Sequence, residues 1–215
     1  MKVTGVSLVN TERKPDGLLA KANINRATVK VDNLTSLSPG ERLDMNADAF
    51  IENKAHLKLN LAFSYALPQF RMSGRIEKFA LPGLNQLIQS YTPAEILSGT
   101  ADEITFSGMV YRTNATGTMQ FLYHGLEVDL ELKNKAKWKS SVLAFAANTA
   151  VNEANPVAPD RPARIVRYHA DRDMNKGFVN IIIKSVLSGL KETMIMSKEN
   201  RKAHKKAKKK YKKEH

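Results

Sequence analysis

Five histidines, two carboxylate clusters and a lysine run are the residues of this chain that could do chemistry. His56, His124, His169, His204 and His215 never fall in an HxH or HxxxH spacing, so no strand or helix face presents two imidazoles to one ion. Asp102-Glu103 and Asp171-Arg172-Asp173 set carboxylates side by side, which is the first requirement of acid–base work. Both clusters lie beside expected strand ends or turns, where solvated charge and capping use the same residue types. Arg172 is expected to pair with Asp171 or Asp173 there, with Asp173, Asn175 and Lys176 as candidates to cap the helix that follows. Ser107-Gly108 and Ser188-Gly189 are not set in GxSxG, and no GxGxxG or GK[ST] run cradles a phosphate. The chain has no cysteine, which excludes disulfides and thiolate metal sites. The expectation is a non-enzymatic protein with no catalytic residues, no metal and no cofactor.

The lysine run remains. Residues 198–215 hold ten Lys/Arg and two Glu, a net of +8 out of the chain's +13. Basicity of this kind belongs to a tail and not to a folded surface. Such a tail solubilises, and it also attracts polyanions: each cation near an anionic leaflet contributes about 1 kcal/mol. Lys205, Lys206, Lys208, Lys209, Lys210, Lys212 and Lys213 are the candidate anionic-surface residues. An apolar helix candidate directly upstream favours a membrane over a nucleic acid. Nucleic acid is not the expected partner, because the body shows no recognition helix or run of RNA-stacking aromatics and the tail has only Tyr211.

The elements that must position these groups are mostly strands. Residues 1–54 read as irregular β, with VSLV, AKANI and ATVKV between turn-rich pieces, as an edge region or a truncated domain. In AHLKLNLAFSY, Leu57, Leu59, Leu61, Phe63 and Tyr65 share one face, opposite His56, Lys58, Asn60 and Ser64. A period of two is what a half-solvated antiparallel strand requires. Phe70, Met72 and Ile76 repeat it, with Gly74 at a position suited to a bulge or bend. Pro82 suits a first helical turn, Leu84, Leu87, Ile88 and Tyr91 follow at helical spacing, and Thr92-Pro93 ends that helix. Three more alternating segments follow. Ile104, Phe106 and Val110 form one face; Met119, Phe121 and Tyr123 the next; Leu126, Val128, Leu130 and Leu132 the last. Gly117 and Gly125 stand at expected turn or bulge positions.

Residues 138–150 are ambiguous, with helix favoured by their alanines and by the stripe Trp138, Val142, Phe145, Ala146 and Thr149. RIVRYHADRDMNKG then reads as a short strand ending in a charged turn. Residues 177–196 read as a helix with Phe178, Ile181, Ile182, Leu190 and Met194 on its apolar face and Lys184, Ser185, Ser188, Lys191 and Glu192 on its polar side. The expected fold is mainly β (α+β): a curved antiparallel sheet with an open or helix-covered apolar face, short helices and a C-terminal helix. The expected organisation is 1–54 as the irregular part, 55–196 as a β module with closing helices, and 197–215 as the tail. The start has no apolar run of signal-peptide length. GFVNIIIKSVLSGL is interrupted by Asn180 and Lys184 and too short to span a bilayer. Taken literally, the chain is expected to be soluble and not exported, and that expectation fails for a piece of a longer protein.

From Phe79 onward the sequence resembles the C-terminal region of the AsmA-like family of bacterial envelope proteins, in a version similar to that of Bacteroidetes. The matching stretches are GLNQLIQSYTPAEILSGTADEITFSGMVYRTNATGTMQFLYHGLEVDL, SSVLAFAANTAVNEANP and YHADRDMNKGFVNIIIKSVLSGLKE. The resemblance implies a periplasmic, membrane-associated β-groove, greasy inside, that shields phospholipid acyl chains between inner and outer membrane or supports outer-membrane assembly. Its partners would be phospholipid or a membrane surface, and envelope proteins. The anchor helix and most of the groove length typical of the family are missing from this sequence, so a C-terminal fragment or a short paralogue is expected. Leu57, Leu59, Leu61, Phe63, Ile104, Phe106, Met119, Phe121, Leu126 and Val128 are the residues expected either to face lipid or to form the core.

Overall fold

The computed structural model describes residues 1–13, 19–35, 42–91, 94–129, 151–158 and 160–195. In chain order these form β1 (Lys2–Arg13), β2 (Leu19–Asp32), β3 (Arg42–Ile51), β4 (Ala55–Ser64), β5 (Phe70–Ile76) and β6 (Phe79–Ala80). A 3-10 turn (Leu81–Leu84), α1 (Asn85–Tyr91), β7 (Glu95–Val110), β8 (Asn114–Asp129), β9 (Ile165–Asp171) and α2 (Phe178–Met194) complete the sequence of elements. The strands make one curved, unclosed antiparallel sheet in the order β1-β2-β3-β4-β5-β7-β8-β9, with β6 paired to β7 off that path. Residues 1–54 thus supply three long strands that extend the sheet beyond β4, with β3 paired to β4, β2 to β3 and β1 to β2. The expected helix at 138–150, Leu130, Leu132 and the lysine tail lie outside the described residues.

Strand alternation becomes one apolar face because the register stacks apolar residues in rows. Ala49, Leu57, Ile76, Ile104 and Phe121 are direct cross-strand neighbours. So are Ala47, Leu59, Gly74, Phe106, Met119 and Val166. Each row presents side chains within contact distance of the next strand. A slip of one residue would turn the whole set to the polar face, which fixes the register.

Of the turn or bulge expected at Gly125, the structure forms the bulge. β8 runs unbroken for 16 residues, and Gly125 sits in it at φ +63°. Ser98 opposes Glu127 and Thr100 opposes His124, so Gly99 faces two residues, Gly125 and Leu126. This bulge restores the alternation: Tyr123 and Leu126 are three apart, and both are buried on the apolar face. Only glycine takes the left-handed conformation without strain. A second bulge does the same in β7, where Asp102 is the extra residue between the pairs Ala101–Tyr123 and Glu103–Leu122. Ala101 and Ile104 both return to the buried side.

Gly74 and Gly117 are not bulges, since the register passes through both regularly. They make room for rings. A Cβ on Gly74 would lie 2.3 Å from Cζ of Phe106, its neighbour across the strands. Gly108 and Gly117, paired with each other, lie under Tyr168, whose hydroxyl donates to the Ser107 carbonyl at 3.1 Å. Burial pushes the Tyr168 hydroxyl up to about 12.

α2 packs its small residues inward. Ile181, Ser185, Gly189 and Thr193, four apart, are buried, so Ser185 belongs to the packed side and not to the polar one. Its hydroxyl donates to the Ile181 carbonyl (2.8 Å) and that of Thr193 to Gly189 (2.9 Å), which satisfies both buried groups within the helix. Gly189 lies against the Met119 side chain, a contact that any Cβ would obstruct. At the other end of the helix Phe178 meets Phe63 and Phe70 edge-on, at centroid distances of 5.6 and 6.4 Å. The N-cap is Gly177 with no side-chain bond. Asp173 caps its own turn instead, its Oδ1 accepting from the Asn175 amide at 3.0 Å.

Candidate functional site: the apolar face and its charged reverse

Burial across the apolar face is graded. Over β5, β7 and β8 it is packed shut: Met72, Ile76, Ile104, Phe106, Met119 and Phe121 are each at most 4% exposed. Over β2–β4 buried residues, among them Val31, Ala49, Leu57 and Leu61, are interspersed with half-buried ones. Val29, Leu43, Met45, Leu59 and Phe63 are all half-buried. Register joins them, since Val29 opposes Ala47, Ala47 opposes Leu59, Leu43 opposes Phe63, and Met45 lies between Val31 and Leu61. On the edge strand β1, Val3 opposes Val29 and is 41% exposed. The result is an apolar strip running from β1 to β4 beside the packed core.

The ten residues singled out from the sequence all lie on this one face. Leu57, Leu61, Ile104, Phe106, Met119, Phe121 and Leu126 are buried, while Leu59, Phe63 and Val128 are half-buried and packed against the same core. Sequence reading missed Val29, Leu43 and Met45, because residues 1–54 read as irregular. The signal was present in RLDMNADAFI, where Leu43, Met45, Ala47 and Ala49 alternate with Asp44, Asn46 and Asp48.

A polar contact reaches the edge strand from the helices. Glu12 of β1 accepts from Asn180 Nδ2 and pairs with Lys184 Nζ, both at 3.1 Å. The Oδ1 of Asn180 is buried without a hydrogen-bond partner, and the Tyr91 hydroxyl lies against the Asn10 side chain. Burial drives the Tyr91 hydroxyl up to about 12, assisted by the Glu12 charge.

The reverse of the sheet is charged. His56 Nδ1 meets Glu77 and Nε2 meets Asp48, both at 2.8 Å, while Lys58 pairs with Glu77 at 2.7 Å. The Phe50 ring stacks on His56 at 4.8 Å, under the guanidinium of Arg26. The hydrogen bond to Asp48, then that to Glu77, raises the His56 pKa. Lys58, then His56, holds Glu77 down at about 2. The two nitrogens of an imidazole point in opposite directions, so these carboxylates do not converge on one point. Among the described residues no cluster of three His, Asp or Glu could hold a metal ion.

The remaining candidates are likewise separate ion pairs. The β7 bulge aims Asp102 at His124 (2.8 Å) and Lys78 (3.4 Å), while Glu103 pairs with Arg75 at 2.6 Å. Burial opposes ionisation of Asp102, but His124 and Lys78 together keep its pKa below the usual range. Asp171 pairs with His169 at 3.1 Å, and not with Arg172, whose Nε is buried without a partner. His204 and His215 lie outside the described residues, as do all seven tail lysines.

Comparison with family models, with curated proteins and with solved structures finds no match. Among the described residues no helix is long and apolar enough to cross a membrane.

Proposed function

We propose that this chain is a non-enzymatic envelope module that shields or passes phospholipid acyl chains, as part of a larger AsmA-like assembly between inner and outer membrane. One observation carries the reading: the half-buried apolar strip Val29, Leu43, Met45, Leu59 and Phe63, continuous in register beside a closed core. In this reading α2 covers the apolar face over β8 and β9 and touches Phe63 of β4 through Phe178, α1 lies against β2, and the half-buried residues between them take the alkyl chain. Each methylene that leaves water there contributes about 0.8 kcal/mol, so no chemical step is needed. The location is periplasmic and membrane-associated, as the family resemblance implies.

A second reading has its own support. Seven of the ten sequence-nominated residues are buried as core, as they would be in a purely structural or protein-binding module of outer-membrane biogenesis. Native mass spectrometry with lipid extraction separates the two. Stoichiometric phospholipid on the gently purified chain supports lipid handling, and its absence leaves the structural module. A polyanion-binding protein acting through the tail would instead bind DNA or RNA with a steep salt dependence, lost on removal of residues 198–215.

A further inference from the structure

Four connections lie side by side at one end of the sheet: residues 33–35 after β2, 65–69 between β4 and β5, 111–113 between β7 and β8, and 172–177 after β9. They are laced together. The Tyr65 hydroxyl donates to the Asn33 carbonyl (2.6 Å) and accepts from the Thr35 amide (3.1 Å). Phe70 opposes Val110, which sets the 65–69 turn beside Tyr111, and the Arg172 amide donates to the Thr113 carbonyl at 2.9 Å. Each connection carries an exposed large apolar side chain: Leu34, Tyr65 with Leu67, Tyr111, and Met174. Such residues at adjacent turn tips serve no core.

The surrounding charge selects a partner. Among the described residues Arg71, Arg112 and Lys176, on or beside these turns, have no carboxylate partner, whereas Asp44, Asp171 and Asp173 are already engaged by Arg42, His169 and the Asn175 amide. Apolar tips, two tyrosines with one polar end each, and unpaired cations together match the boundary between acyl chains and anionic headgroups. We propose that this rim docks on an anionic lipid surface, independently of the lysine tail. The proposal rests on the lipid-handling reading and adds where the module would meet its membrane.

The test is flotation of the full chain with vesicles of phosphatidylcholine, with and without phosphatidylglycerol. It is run at low salt and at about 0.5 M salt, where exposed charges are strongly screened. Wild type and a variant with the seven tail lysines changed to Gln are expected to float with phosphatidylglycerol vesicles in both salts. The double variant Leu67→Asp/Met174→Asp should lose at least about tenfold in partitioning, because two apolar tips no longer leave water, with an unchanged melting temperature. With the seven tail lysines already changed to Gln, Arg71→Gln/Arg112→Gln should keep the melting temperature and lose the preference for phosphatidylglycerol at low salt. Flotation of the Leu67/Met174 variant at wild-type level would overturn the proposal, as would loss confined to the tail variant. A dimer that Leu67→Asp dissociates, with no flotation of wild type, would overturn it in favour of self-association. Failure of the lipid-handling reading looks different: no co-purified lipid, whatever the flotation.

Discussion

Substituting Gly74 tests how the apolar face is packed. In Gly74→Ala the new Cβ would lie 2.3, 2.7 and 3.0 Å from Cζ, Cε1 and Cε2 of Phe106, the first two below any real contact distance and the third at its limit. Phe106 is 4% exposed, so its ring must move within a packed layer, and overpacking of this kind costs about 1–3 kcal/mol. The three obstructing atoms are the distal ring atoms, which leucine lacks. In a Phe106→Leu background, itself weaker by about 2 kcal/mol for three buried carbons, the obstruction disappears. Alanine should then be better than glycine there by about 0.5–1 kcal/mol, because it has less backbone entropy to lose in a strand. The coupling between the two sites should therefore be about 1.5–4 kcal/mol. Urea unfolding of wild type, the two single variants and the double variant measures it. Equal costs for Gly74→Ala in both backgrounds would refute the argument that glycine is there to seat the ring.

Three further outcomes follow from the geometry. Gly125→Ala forces a Cβ onto φ +63° and should cost about 1–2 kcal/mol, with Gly125→Asn costing less; equal losses in chemical denaturation would contradict the bulge account. Glu12→Ala leaves Lys184 and Asn180 without their shared acceptor. It should destabilise by about 1–3 kcal/mol, less than a fully buried pair would, and speed amide exchange in β1 before the other strands; uniform exchange would speak against a specific tie. His56 has a raised pKa, so its contribution is complete below the ordinary histidine value and fades as the pH climbs through the raised one. Glu77, held at about 2, contributes above the ordinary carboxyl value and loses this as the pH falls toward 2. The stability gap between wild type and His56→Gln should shrink from about pH 6 to pH 9, and a pH-independent gap would exclude the charged network as its cause.

Much of this fold was legible because burial on one face leaves a period of two. The face of β4 from Leu57 to Phe63, the run Phe70–Met72–Ile76 and the rows through Ile104 and Phe121 are where the pattern put them. Pro82 and Leu84 likewise marked the 3-10 turn, and Leu87 and Ile88 the α1 that continues it. The failures occur where the period breaks for a local reason. At Gly125 a bulge shifts the alternation by one residue, and sequence alone does not separate that from a turn between two strands. In α2 the apolar face of Phe178, Ile181, Ile182, Leu190 and Met194 is the packed one, but it also takes in Ser185, whose hydroxyl is satisfied by its own helix, so polarity misplaced that one residue. The β2 and β3 part of the strip, Val29, Leu43 and Met45, was overlooked because the alternation there is shared with alanines and interrupted near Arg26, which has φ +52°. The charges of Asp102, Glu103 and Asp171 were visible, but their partners were set by strand register, which a list of residues does not contain.

The central claim is that lipid lies on the half-buried strip and not in the packed core or on the tail. Photo-crosslinking of the full chain with a phospholipid carrying a diazirine in its acyl chain, followed by peptide mapping, tests it most directly. Adducts at Val29, Leu43, Met45, Leu59 or Phe63, with none at Ile104 or Met119, are the predicted result. Adducts confined to residues 198–215, or none at all, would contradict it.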